Sequence, residues 1–202
     1  QWIWRIKEIE SLNITNNVIE LMVEKIKLLS VENQSVIQIS SCLGNKFTVE
    51  ELAILLNVST EEAINQIYLP LKEGIFTVKK NTYYFIHDRV QQAAYSILDN
   101  AEKITLHHRI ALSLFSTLSK DEIHNKIFDI VHHFNKAATN ITTDEENSLL
   151  IKLNFQAGNK ARKATAYELA FMYYNTAMNV LTKQCWHERY WACLLYTSPS
   201  PR

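Results

Sequence analysis

Helix-breaking residues are scarce in this sequence, which has three glycines and three prolines among 202 residues. Two of the prolines, Pro199 and Pro201, lie within the last four residues. β-Sandwiches and β-barrels need frequent turn residues, so this scarcity argues against them and predicts a mainly α-helical chain. Long apolar runs are lacking as well, and about 18 consecutive apolar residues are needed to span a bilayer. We therefore expect no membrane segment.

An excess of either charge is absent, because Lys and Arg together number 21 and Asp and Glu together also number 21. Zero net charge gives no long-range attraction for nucleic acid or an anionic membrane. The three cysteines form no CxxC pair, and Cys42 falls in an apolar helical pattern, which predicts a buried thiol in a reducing, cytoplasmic compartment. Cys185 and His187 lack a third and a fourth ligand, so no metal site is predicted.

Residues 31–100 have the pattern of three helices followed by a β-hairpin. The first helix ends at Gly44, a capping box at Thr48 and Glu51 begins the second, and Ser59 caps the third, which Pro70 should weaken or bend. Two strands over 75–78 and 83–86 surround a turn at 79–82. This order predicts a winged-helix domain whose core contains Ile37, Leu43, Phe47, Leu52, Leu55, Ile64, Ile67, Leu71 and Phe85.

Residues 101–191 are predicted to be helical throughout, as a bundle or repeat array. The last helix pair, over 145–164 and 167–182, has small residues where two helices would touch. Its spacing of small and aromatic residues resembles a tetratricopeptide repeat at Gly158, Ala170, Tyr174 and Ala177. The Trp, Leu and Tyr of that signature's first helix are replaced by Asn154, Ala157 and Ala161.

A catalytic residue set is missing from the sequence. There is no G-x-x-x-x-G-K-[ST] loop, no GxGxxG and no recognised Ser, His and Asp relay. The adjacent pairs His107-His108 and His132-His133 point about 100° apart on a helix, so neither pair can chelate a metal. We expect these histidines to be solvated or half-buried, and we expect the chain not to be an enzyme.

The predicted winged helix raises the question of DNA binding. The start of a recognition helix approaches base edges, and here that start is Thr60-Glu61-Glu62. Cations follow only at Lys72, Lys79 and Lys80, whereas phosphate contacts from several Lys or Arg supply most of the affinity for DNA. The sequence therefore predicts no nucleic-acid partner.

The most informative segment runs from Tyr84 to Tyr95, where a His-Asp pair marks the passage from the second strand into a helix. It resembles the M-H-D element of STAND-class signalling ATPases, with Ile86 in place of the usual Met. That resemblance implies that His87 senses the phosphates of bound ADP and that Asp88 orients it or caps the helix. The alternative from the residues alone is that Asp88 simply caps the helix and His87 is half-buried.

A wider resemblance extends over nearly all of the chain before residue 192, including the segments 14–22, 87–96, 127–131 and 157–167. It is to multi-sensor signalling proteins with a serine/threonine kinase-like domain, a STAND/AAA ATPase, helical repeats, a GAF domain and a histidine kinase. It implies the end of the ATPase lid at 1–30, the winged helix at 31–100 and TPR-like repeats at 101–191.

The function implied by this resemblance is non-catalytic. The fragment would couple nucleotide state to signal transduction, with no cofactor of its own but ADP or ATP in the parent protein. Its partners would be the upstream nucleotide-binding domain of the same chain and protein ligands of the repeats. The alternatives are a helical protein–protein interaction scaffold without nucleotide switching and, third, a winged-helix DNA-binding regulator.

Both ends of the sequence are unusual. The first residues lack a Met and a signal-peptide pattern, so we expect the piece to begin inside a longer reading frame. Residues 192–202 end in a Ser/Pro string that resembles a translated sequencing adapter, and the alternative is a natural disordered linker. We therefore expect residues 192–202 to lie outside the native fold.

Overall fold

The computed structural model describes residues 14–181, and their side chains from residue 19 onward. The tail at 192–202 lies outside the described residues, as do Cys185, His187 and Cys193. The elements are α1 (Ile14–Lys27), α2 (Val31–Leu43), β1 (Lys46–Thr48), α3 (Val49–Leu56), α4 (Thr60–Lys72), β2 (Phe76–Lys79), β3 (Thr82–Phe85), α5 (Asp88–Ile97), α6 (Asn100–Thr117), α7 (Lys120–Asn125), α8 (Ile127–Lys136), a 3-10 turn (Ala138–Asn140), α9 (Asp144–Lys163) and α10 (Tyr167–Val180).

The described chain is mainly α-helical, which confirms the prediction from its few glycines and prolines. It forms two compact units that divide between Leu106 and His107, within α6. None of the described helices has the length and apolar character needed to cross a membrane.

In the first unit, the predicted caps determine where the helices begin and end. Thr48 and Glu51 form the predicted capping box, in which the Thr48 N–H donates to Glu51 Oε2 over 3.0 Å and the Glu51 N–H donates to Thr48 Oγ1 over 3.3 Å. Ser59 Oγ accepts the Glu62 N–H at 3.1 Å. Gly44 caps the end of α2 with φ of 114°, a value that strongly favours glycine. Pro70 is accommodated as a buried residue inside α4.

The sheet has three antiparallel strands in the order β1-β3-β2, one strand more than the hairpin predicted from the sequence. Strand β1 pairs Phe47 with Tyr83, and Lys46 with Tyr84. The hairpin strands are each displaced by one residue from the predicted bounds, because the turn is tighter and Lys80 occupies it with φ of 58°. A strand of three residues has no alternation to detect, which is why β1 was missed.

Aromatic rings form the centre of the first core. Phe47 and Phe85 lie edge-on to Phe76, with ring centroids 5.2 and 4.9 Å away respectively. All three phenylalanines are buried, and Cys42 is buried as predicted. The predicted core is confirmed for the fully buried residues Ile37, Phe47, Leu52, Leu55, Ile67 and Phe85, whereas Leu43 and Leu71 are partly buried.

The prediction that Ile64 belongs to this core is wrong, because 46% of this residue is exposed. The buried face of α4 contains Ala63, Ile67 and Pro70, which follow one another at the helical spacings of four and three residues. Ile64 lies about 100° around the helix from Ala63 and therefore reaches solvent. Tyr68, one turn later on the same side as Ile64, is 65% exposed.

In the second unit, α8 supplies the central apolar face. Four apolar residues share that face and are all buried: Ile127, Ile130, Val131 and Phe134. They pack in one cluster with Leu150, Leu153 and Ala157 of α9. The short helix α7 lies in the stretch that was predicted to be helical, and Ser119 and Glu122 form a capping box at its start.

A pair of asparagines, of which Asn154 is buried and Asn135 partly buried, lies in this unit, where the repeat signature would place a Trp at residue 154. Asn154 is fully buried, its amide donates to Asn135 Oδ1 at 2.8 Å, and Asn135 donates back to Asn154 Oδ1 at 3.0 Å. A further bond joins the Asn154 amide to the Leu150 carbonyl at 2.9 Å. These hydrogen bonds satisfy polar groups that would otherwise be costly to bury.

Close approach of α9 and α10 depends on Gly158. A Cβ built on this residue would lie 2.5 Å from Cε1 of Tyr174. The Tyr174 ring cannot easily move away, since its hydroxyl donates to Asn159 Oδ1 at 2.9 Å and its ring lies 5.8 Å from that of Phe155. Small residues at this contact thus have the role predicted from the sequence.

Replacing Gly158 with Ala is expected to lower the free energy of unfolding by a net amount of about 1–2 kcal/mol. Alanine favours a helix by about 1 kcal/mol, but forcing an atom this close to a held ring should cost about 2–3 kcal/mol, the upper part of the usual range for overpacking. Urea denaturation followed by circular dichroism measures the difference. In a Tyr174→Ala background the same change should become neutral or stabilising, and a Gly158→Ala chain as stable as the unaltered one would contradict this packing.

Candidate functional site

The candidate site is the exposed segment between β3 and α5 that contains His87 and Asp88. Buried residues hold it at both ends, because Phe85 is 3% exposed and Val90 is 5% exposed. The Ile86 N–H donates to the Ile75 carbonyl at 3.1 Å, which extends the hairpin pairing to the edge of the site. His87 and Asp88, which lie between these buried residues, are therefore fixed in place although they face solvent.

His87 itself caps α5. The Arg89 N–H donates to His87 Nδ1 over 3.1 Å, and the His87 backbone is extended with φ of −154° and ψ of 146°. Because Nδ1 accepts this bond, the proton of the neutral imidazole is on Nε2. His87 is exposed, and among the described residues only Arg89 forms a hydrogen bond with its imidazole.

Two of the predictions for this pair are wrong. Asp88 is not the helix cap but the first residue of α5, where its carboxylate interacts favourably with the positive end of the helix. His87 is exposed, whereas the alternative from the sequence expected it to be half-buried. Asp is the better cap in general, but the extended backbone of His87 brings the imidazole, and not the carboxylate, to the Arg89 N–H.

The surroundings of His87 combine an apolar residue with a helix end. Ile86, which replaces the Met of the resembled motif, is 57% exposed beside the imidazole. Arg89 Nη1 donates to Gln92 Oε1 at 2.9 Å, and Gln91 Nε2 donates to the Ser41 carbonyl of α2 at 2.8 Å, so α5 is held in position. The arrangement can present an Nε2–H donor to an anion or an acceptor, flanked by an apolar contact.

The start of α4, which would be the recognition helix, is acidic and exposed. Glu61 and Glu62 occupy its first turn. A shallow cavity beside it is lined by Glu50 and Glu62, and no lysine or arginine of the described residues lines it. Farther along α4, Ile64 and Tyr68 are exposed. This surface carries the wrong charge for phosphate and has apolar residues typical of a protein contact.

The structure also reveals a histidine cluster in the second unit that sequence reasoning misjudged. His107 of α6 and His133 of α8 are 2% and 6% exposed, so the expectation of solvated or half-buried histidines is wrong for both. Their Nδ1 atoms lie 2.8 Å apart, and one ring donates to the other. Of the adjacent pairs His107-His108 and His132-His133, one member each turns inward. Only the packing of α6 against α8 brings these two inward rings together.

Burial makes both rings difficult to protonate. Desolvation, with positive charge at Lys136 and His132 as a smaller cause, lowers the pKa of His107 to about 4. Desolvation, with the neighbouring histidines and Lys136, lowers the pKa of His133 to about 3. Protonation of both rings would also place two N–H donors against each other and abolish the bond. The described residues contain no group of three or more His, Cys, Asp or Glu able to hold a metal ion.

Stability of the chain is therefore expected to fall as the pH is lowered from about 6.5. Over this range the unfolded histidines bind protons and the folded ones do not, so acid favours the unfolded state, by up to about 1.4 kcal/mol per pH unit for each histidine. The loss should be complete once the pH is below the folded pKa values of about 4 and about 3. Urea denaturation at a series of pH values measures this dependence.

A matched pair of variants separates this effect from carboxylate titration. Replacing both His107 and His133 with Leu should flatten the profile between pH 6.5 and pH 5, because neither side chain can then be protonated. His124, which is exposed on α7, provides the control, and His124→Leu should keep the original profile. An equally steep profile in the double variant would show that the buried pair is not the cause.

Comparison with known proteins gives one informative likeness. The chain is similar to hybrid signal transduction histidine kinase G of Dictyostelium discoideum, with 27% identity over an alignment of 234 residues. The alignment covers 90% of this chain but 7% of the length of that relative. No protein-family profile matches the chain, and no solved structure matches it. The likeness relates the chain to signal-transduction kinases.

Proposed function

We propose that this chain is a non-catalytic regulatory part of a STAND-type signalling ATPase coupled to a histidine kinase. In this proposal residues 31–100 are a winged-helix domain and residues 101–191 begin a TPR-like array. His87 contacts the phosphates of ADP held by a nucleotide-binding domain elsewhere in the same protein. The observation that carries the proposal is the exposed imidazole of His87, fixed through Nδ1 with Nε2–H directed outward.

The winged-helix assignment is supported by the order of elements. Three helices, α2, α3 and α4, are followed by the β2–β3 hairpin, and β1 between the first two helices joins the same sheet. The likeness to a hybrid signal transduction histidine kinase along 90% of the chain supports the signalling context. The relative is far longer than this chain, so a neighbouring catalytic module is part of the proposal.

The proposed mechanism is a two-state switch. With ADP bound, the Nε2–H of His87 donates to a phosphate oxygen, and the exposed Ile86 packs against the neighbouring domain. A signal received by the helical array moves the winged helix away, nucleotide exchanges and kinase output changes. Such a switch needs contacts that differ between the two states, and coupling energies of this kind are typically about 1–3 kcal/mol.

The rival functions differ in what they require of the surface. A DNA-binding regulator needs cations at the start of α4, where Glu61 and Glu62 lie. An interaction scaffold without nucleotide switching is compatible with the exposed Ile64 and Tyr68 but gives no role to an outward imidazole. Recovery of the upstream part of the gene discriminates directly, because only the switch requires a phosphate-binding loop there.

Replacement of His87 in the intact signalling protein is the decisive experiment. His87→Ala removes both the cap and the Nε2–H donor, whereas His87→Asn keeps a good helix cap and removes the imidazole. We expect both variants to bind ADP about tenfold more weakly and to raise basal autophosphorylation, since one charge-assisted hydrogen bond is lost. Calorimetry with ADP and a kinase assay without stimulus measure the two effects.

The asparagine variant decides between sensing and simple capping. If His87→Asn restores the ADP affinity and basal output of the unaltered protein, His87 is only a helix cap and the proposed sensor role is lost. Arg89→Gln serves as a control that removes a charge from the first turn of α5. Its ADP affinity should remain within about twofold of the original, because the Arg89 guanidinium bonds within its own helix.

A further inference from the structure

A cavity of about 480 Å³ opens within the second unit between α6, α7 and α9. Its floor is apolar and consists of Phe115, Ile123, Leu149 and Leu153. Leu153 belongs to the buried core, and the other three pack against that core, so the floor is already formed. The volume falls within the range of small-molecule sites, which are concave and mostly apolar with a few placed polar groups.

Every charged residue that lines this cavity is a lysine: Lys120, Lys152, Lys160 and Lys163. We refer to the cavity as the lysine pocket. The chain as a whole has equal numbers of acidic and basic residues, so this gathering of cations is a local feature. A cleft lined by one sign of charge with apolar walls concentrates ions of the opposite sign.

Lys160 has a structural position in the wall of the lysine pocket. Its Nζ donates to the carbonyl oxygens of His124 and Asn125, at 2.6 and 3.0 Å, near the end of α7. The same ammonium lies 5.3 Å from the centroid of the Phe128 ring. These contacts fix one side of the pocket, and they provide partners for the Lys160 ammonium without a ligand.

The other three lysines have no such partners. Lys120, Lys152 and Lys163 are exposed, and within residues 19–181 no carboxylate pairs with them. Asn159 adds a further donor to the lining, because its Oδ1 accepts the Tyr174 hydroxyl and its amide N–H groups remain available. The lining therefore offers several donors above an apolar floor, which is the complement of an amphipathic anion.

We propose that the lysine pocket binds a small amphipathic anion, with an apolar body on the Phe115 and Leu153 floor. The head group is a carboxylate or a phosphate, attracted by the lysines of the lining, of which Lys120 lies on α7 and Lys152 and Lys163 lie on α9. A small ligand is favoured over a peptide because the cavity is bounded on three sides by α6, α7 and α9. Binding here does not depend on the nucleotide switch proposed above.

Titration of the 202-residue chain with three eight-carbon probes tests the charge and the apolar requirement together. Octanoate and octyl phosphate carry the two candidate head groups, and octylammonium has the same chain with the opposite charge. We expect both anions to bind in calorimetry and the cation to give no binding heat. The tighter of the two anions identifies the head group, and binding should weaken as ionic strength rises.

Matched variants locate the site. Replacing Lys152 and Lys163 together with Gln should weaken anion binding at least about fivefold, since two of the cations that line the pocket are removed. Arg162→Gln removes one charge from the neighbouring exposed position on α9, which does not line the pocket, and should leave binding unchanged. Circular dichroism confirms that each variant retains its helical content.

Three results would overturn the proposal. Octylammonium binding as tightly as octanoate would show that charge is not selected. Undiminished anion binding by the Lys152→Gln, Lys163→Gln chain would place the site elsewhere. Tighter binding of an octaglutamate peptide than of either anionic probe would show that the lysines form an acidic-peptide surface and not a small-molecule pocket.

Discussion

Burial of Phe85 between the other aromatic rings is the contact on which the candidate site depends. Phe85 lies 4.9 Å from Phe76 and 6.4 Å from Phe47 by ring centroids, which fixes where β3 ends. Val90 is the next buried residue along the chain, so the backbone must leave the sheet and begin α5 within the four intervening residues. The backbone of His87 is still extended, which brings its imidazole Nδ1 to the Arg89 N–H, and the exposure of the ring follows from that geometry.

The location of the candidate site was predictable from the sequence, but the roles of its two residues were not. A strand followed by His-Asp and a helical pattern places the pair at the start of α5. Asp is the stronger intrinsic cap, so local preference assigns the cap to Asp88. The structure assigns it to His87, because the cap is decided by which backbone is extended, and that depends on the hydrogen bonds of Phe85 and Ile86 to Asn45 and Ile75.

In the fold, features that depend on neighbouring residues could be predicted from the sequence, and features that depend on contacts between distant residues could not. Helix boundaries at Thr48 and Ser59 follow from side chains within three residues, and both are confirmed. Strand β1 exists only because residues 46–48 meet residues 82–84, and the His107–His133 bond joins residues 26 positions apart. Helix α7 differs, because the Ser119 and Glu122 capping box is local and was available in the sequence.

The second unit shows how a helix pair can pack well although its sequence matches the tetratricopeptide pattern only in part. Asn154 is buried where the signature has Trp, and its burial is possible only because Asn135, on a different helix, supplies the reciprocal amide. Gly158 and Tyr174 are similarly linked, since the ring occupies the space that a Cβ would need. A sequence signature describes each position separately, whereas stability depends on pairs of residues in contact. The contacts of Asn154 with Asn135 and of Gly158 with Tyr174 therefore form a packed interface that a signature describes poorly.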